Sequence, residues 1–83
     1  SAMDGGYPGG VIDLRLHRPQ TRLALVEHTL MALQPGEDIL LVFPSQPEHL
    51  PGYIASTYPG RFEITPVEEG PAVWTLRVRP LGF

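Results

Sequence analysis

Three histidines, His17, His28 and His49, are the chain's whole supply of imidazole, and there is no cysteine among its 83 residues. Imidazole can ligate a metal or act as a base near neutral pH. A recognisable metal motif would pair each with a second ligand three or four residues away, and none of the three stands with another ligand-type residue in such a recognisable motif. His28 falls on the polar side of a helical stretch, and His17 and His49 fall in or near loops, so surface histidines are expected and no metal. The missing cysteine removes disulfides, thiol nucleophiles, persulfide carriage and Cys-ligated zinc or iron–sulfur centres. Carboxylates occur at Asp13, Glu27, Asp38, Glu63, Glu68 and Glu69, yet no spacing sets two of them across a substrate. Ser45 has no base-and-orienter arrangement, and Ser45-Gln46-Pro47-Glu48 fits a capping box instead. The expectation is a protein with no catalytic residue, no cofactor and no enzymatic activity.

The sharpest charge cluster is Arg15, His17, Arg18 and Arg22. It surrounds a strand-to-helix connection, where cations oppose the helix dipole unless an anion is close by. Free amides at a helix start receive anions readily, so these four residues are the candidates for a small anion or an acidic partner. The balance of the whole chain is different: six Arg, no Lys and nine acidic residues give a net charge of −3. That argues against a nucleic-acid binder, which needs a clustered basic surface. No run of 18 apolar residues exists, so no membrane span is expected. The start, Ser1-Ala2-Met3, lacks a signal peptide's basic and apolar regions and reads as a cleavage scar before a native start. A cytoplasmic location follows as the default.

The elements that must carry these residues can be read from period and punctuation. Residues 1–10 hold four glycines and a proline and are expected to be a disordered lead-in; residues 11–83 make one domain. Val11 to Leu16 alternates, with Ile12, Leu14 and Leu16 on one side, as a short strand does. Leu23, Val26, Leu30 and Leu33 then share one helical stripe, with Pro19 at the entry and Gln34-Pro35-Gly36 as the stop. Ile39 to Phe43 is an unbroken apolar run, the mark of a central strand. Leu50, Tyr53, Ile54, Thr57 and Tyr58 fall on one face of a second helix. Its start is either at the Ser45 box or nearer His49, which would put Pro51 in the first turn. Phe62–Val67 and Val73–Arg79 form a hairpin around Glu68-Glu69-Gly70-Pro71, with Gly70 left-handed and Pro66 on an edge strand or bulge. The order β-α-β-α-β-β defines an α+β two-layer sandwich: a four-stranded mixed sheet, its first two strands parallel, with both helices on one face.

Such a sheet has a second face to cover. If Ile39, Leu41 and Phe43 meet the helices, Leu40 and Val42 point away together with Val73 and Thr75; the opposite register leaves a similar patch. Leu40, Val42, Val73 and Thr75 are therefore the candidates for a surface that docks a protein partner or a second copy of the chain.

The element order, the proline opening the first helix and Leu33-Gln34-Pro35-Gly36-Glu37 closing it resemble the TusA-like (SirA-like) sulfur-carrier superfamily. Ile12-Asp13-Leu14-Arg15, Tyr58-Pro59-Gly60-Arg61-Phe62 and Glu68-Glu69-Gly70-Pro71 with Val73-Trp74 bring the chain closer to a relative, the prokaryotic domain-of-unknown-function family 2249. The resemblance spans about residues 11–79 and implies the fold. Sulfur carriers of this kind place a cysteine just before the helix-opening proline; the matching residue here is Arg18, which cannot accept or pass sulfur. The closer family often has a histidine early in the first helix and an Asp-His-Asp-Pro-like segment after the second strand. Some of its members adjoin hemerythrin-like domains, which implies a metal or redox setting for those polar residues. This chain has Leu23 and Pro44-Ser45-Gln46-Pro47 at the two places. The expected role is a non-catalytic interaction or accessory module, with small-anion or metal binding at the first helix start as the alternative.

Overall fold

Ile39-Leu40-Leu41-Val42-Phe43 forms strand β2 (Ile39–Phe43), and all five side chains are buried. A strand with no polar face has to lie inside a sheet and be covered on both sides. The computed structural model describes residues 7–81 and places β2 accordingly. Around it run β1 (Val11–Asp13), a single 3-10 turn (Leu14–Leu16), α1 (Pro19–Ala32), α2 (Leu50–Thr57), β3 (Phe62–Glu69) and β4 (Trp74–Pro80). The sheet order is β1-β2-β4-β3. β1 pairs parallel to β2 and the other neighbours are antiparallel, which is the expected mixed sheet.

One core joins the two layers. Ile39, Leu41 and Phe43 of β2 and Leu76 and Val78 of β4 cluster with Val26 and Leu30 of α1, Ile54 of α2, and Leu14. Both helices thus cover the same sheet face, and the register of β2 is decided: its odd-numbered side chains meet the helices.

The first strand is shorter than its alternation implies. Asp13 ends it by turning its carboxylate back on Arg15, accepting from the Arg15 amide at 3.1 Å and from the guanidinium Nε at 2.8 Å. The 3-10 turn that follows buries Leu14 completely and leaves Leu16 81% exposed. Leu16 is therefore not a core residue. On α1 the buried face is Val26 and Leu30, flanked by half-buried Leu25 and Thr29. That rotation leaves Leu23 on the edge, 42% exposed, and corrects its place in the core stripe.

The second helix starts at Leu50 with His49 as its N-cap. Pro51 sets this start, because a helix begun at Ser45 would carry Pro51 in its interior, where the ring clashes with the preceding turn. The Ser45 capping box does not form, and Ser45 is exposed. Pro66 does lie on the edge strand β3, beside a register shift between Pro66 and Glu68. Gly36 and Gly70 take positive φ, +88° and +77°.

Two further corrections concern coverage. Residues 1–6 of the expected disordered lead-in, the Ser1-Ala2-Met3 start among them, lie outside the described residues. Residues 7–10 are pinned to the sheet: Gly9 donates to the Asp38 carbonyl at 2.7 Å, and Leu40 donates to the Gly10 carbonyl at 3.1 Å. On the face away from the helices, Leu40, Val42 and Thr75 are 2%, 1% and 0% exposed. Leu40 lies between Val11 and Arg77, and Val42 between Asp13 and Thr75. The three residues form an inner layer with no accessible area to offer, and Val73 is half-buried.

Candidate functional site

β1 and β2 run parallel, so both finish at one end of the sheet; β4 starts there and β3 ends there. The connections at that end are the 3-10 turn, the start of α1, the Pro44–His49 loop and the hairpin turn. Between the start of α1 and the loop lies a groove of about 300 Å³. Its floor is Leu14, Val26, Phe43 and Leu50, and its rim includes Arg22, Leu23 and His49.

All four members of the basic cluster come to this end, in different states. Arg15 is committed to Asp13, with Nε at 2.8 Å and a terminal nitrogen at 2.7 Å from its carboxylate. The hydrogen bonds hold the Asp13 carboxyl below the usual carboxylate range and push the Arg15 guanidinium above its own. Arg22 donates through Nε to the His17 carbonyl at 3.0 Å, tying the loop to the first turn of the helix. Arg18 is the N-cap of α1, exposed, and gives no side-chain cap. His17 is exposed.

His28 and His49 are also exposed. No group of three His, Cys, Asp or Glu side chains placed to hold a metal ion occurs among the described residues. Leu23 and Pro44 to Pro47 line the same groove, so the two places where the resembling family carries polar residues meet in space. In this chain Leu23, Pro44 and Pro47 meet there with the uncharged Ser45 and Gln46, beside Arg22, Glu48 and His49.

Two features lay outside the sequence reading. Glu27 on α1 accepts hydrogen bonds from both Tyr53 and Tyr58, 26 and 31 residues away. No local pattern encodes such a pairing. At the far end of the sheet a second groove, about 450 Å³, is lined by residues including Leu30, Met31, Arg61 and Phe62. Its signal was the placement of Pro35 and Pro59 just past the ends of the two helices and of Pro80 as the last residue of β4.

The fold and groove define a small two-layer α+β domain with a cleft at one end of a mixed sheet, its floor apolar and its edges carrying Arg22, His49 and Glu48. The sequence model of the family described as "Uncharacterized conserved protein (DUF2249)" matches residues 11–80, and the chain belongs to that family. No curated protein and no solved structure matches it. No helix among the described residues is long and apolar enough to cross a membrane.

Proposed function

We propose that this chain is a non-catalytic interaction module whose working surface is the groove between the start of α1 and the Pro44–His49 loop. The observation that carries the reading is an apolar side chain held beside a cation on the groove: Leu23, 42% exposed, stands next to Arg22, with His49 and Glu48 also in the lining, while Leu16, 81% exposed, lies outside it in the preceding turn. Large apolar side chains held in water beside arginines fit a protein segment that brings its own apolar residue flanked by Asp or Glu. The TusA-like resemblance supports the architecture only. Arg18 stands where sulfur carriers place cysteine, so we exclude sulfur carriage from the proposal.

Selection from a random peptide library against the full chain tests it. Enriched sequences should combine Leu or Phe with acidic residues and bind at least tenfold more weakly to Leu23→Asp and Arg22→Glu. No enrichment, or peptides indifferent to both substitutions, rejects the reading. The small-anion alternative draws on the uncapped start of α1. Sulfate titration should then shift the Arg18 and Arg22 amides at millimolar concentration, and flat amides remove it.

A further inference from the structure

The groove at the opposite end of the sheet lies apart from the surface proposed above and carries a separate argument. Its volume, about 450 Å³, is in the range of small-molecule sites. Its floor combines fully buried Leu30 with half-buried Leu33 and Phe62, and Met31 stands at its side 47% exposed. Three prolines, Pro35, Pro59 and Pro80, form stiff walls that offer no amide donor.

The cation at this groove is Arg61. Its backbone is fixed on both sides: its amide donates to the Tyr58 carbonyl at 3.1 Å, and its carbonyl accepts from Leu81 at 2.9 Å. The guanidinium carbon lies 5.8 Å from the centre of the Phe62 ring. Arg15, Arg77 and Arg79 each spend their charge on a carboxylate, at Asp13, Asp38 and Glu63. Arg61 has no such partner among the described residues.

We infer that this groove binds a small amphiphilic carboxylate, its apolar body against Leu30, Met31 and Phe62 and its head on Arg61. One guanidinium matches one carboxylate in charge and in forked geometry, whereas a phosphate monoester needs more donors than the proline walls supply. Residues of the last turn of α1 line the groove, and the carbonyl end of that helix repels an anion. The head therefore belongs on the Arg61 side. The exposed methionine suits a flexible chain, because its thioether adapts to irregular apolar shapes.

The test is a titration of the full chain, labelled at its methionine methyls, with hexanoate, octanoate and decanoate below their micelle-forming concentrations. The Met31 methyl should shift saturably. Affinity should rise about fourfold for each buried methylene until the groove is full. Arg61→Gln should weaken the carboxylate roughly three- to fivefold, the scale of an exposed ion pair, and leave the matching alkanol unchanged. Met31→Asp, at a half-exposed position, should remove both. The inference fails if the Met31 methyl does not saturate at millimolar ligand, if carboxylate and alkanol bind equally, or if the perturbation appears at Trp74, in the other end of the molecule. Because Leu23 and Arg22 play no part in it, loss of peptide binding there leaves this result standing.

Discussion

The Tyr58 hydroxyl, at the C-cap of α2, donates a 2.7 Å hydrogen bond to the Glu27 carboxylate on α1. The Tyr53 hydroxyl reaches the same oxygen at 3.0 Å. One carboxylate therefore clasps the two helices above the core formed by Val26, Leu30 and Ile54. The hydrogen bond to Glu27 holds the Tyr58 hydroxyl above its usual pKa, with burial and the Glu27 charge acting in the same direction.

The sign of the pH effect follows from linkage. An acid whose pKa is raised on folding contributes stability that is complete below the unfolded tyrosine value of about 10 and is lost as pH rises through the folded value. The chain has no lysine to titrate in that range. Melting temperature should fall at alkaline pH, and Glu27→Gln, which keeps an acceptor but removes the charge, should flatten the fall. Ultraviolet titration should find one tyrosine moving back toward the ordinary value in that variant. Equal alkaline slopes in the two proteins would refute the assignment.

The Asp13–Arg15 pair makes the opposite prediction at acid pH. Asp13 has a lowered pKa, chiefly because it accepts hydrogen bonds from Arg15. Its contribution is present above the unfolded aspartate value of about 3.9 and is lost as pH falls through the folded value. Arg15→Gln should move the Asp13 carboxyl carbon's titration upward toward the ordinary range. An unchanged midpoint in that variant would mean that another group holds the carboxyl down.

Leu40 and Leu16 separate what the sequence could and could not say. Leu16 sat in an alternating pattern and Leu40 in an unbroken apolar run with a candidate open face, and each landed opposite to its expected exposure: Leu40 is 2% exposed and Leu16 81%. Period identified the elements, since apolar spacing is set by backbone geometry alone. Which face of β2 stays open depends on flanking strands far away in sequence, and the end of β1 depends on one Asp13 side chain closing on Arg15. Leu40→Ala should cost about 2–5 kcal/mol, against a total of roughly 5 for a domain this small. Leu40→Glu should therefore be unfolded, while Leu16→Glu should change stability by less than about 0.5 kcal/mol. Thermal melts followed by circular dichroism would decide it; a folded Leu40→Glu protein would overturn the buried placement.

Gly36 and Gly70 were both legible as left-handed turn residues, but their surroundings were not. A Cβ at Gly36 would meet nothing within 4 Å, while one at Gly70 would lie 2.5 Å from the Trp74 ring. Gly36→Ala should cost only the backbone penalty, about 1–2 kcal/mol. Gly70→Ala should add an overpacking cost of about 1–3 kcal/mol and shift the Trp74 fluorescence. Equal losses at the two sites would show that the indole yields without resistance.

Thr75 is fully buried, and its hydroxyl oxygen accepts from the Glu68 amide at 2.9 Å. The register of β3 shifts between Pro66 and Glu68, so the ladder skips a residue beside Thr75. The side chain thus supplies an acceptor where strand pairing is interrupted. A buried strand position normally favours Val as much as Thr, and Thr75→Val keeps the shape while deleting that acceptor. Leaving the Glu68 amide unpaired should cost about 1–3 kcal/mol, or roughly 4–8 °C in melting temperature per kcal/mol for a chain of this size. Thr75→Ser, which keeps the oxygen, should retain most of the bond at the expense of one methyl. Faster hydrogen exchange at the Glu68 amide in Thr75→Val, absent in Thr75→Ser, would distinguish the lost hydrogen bond from a change in packing; a Val variant as stable as the parent would show that the shifted strand satisfies the amide without Thr75.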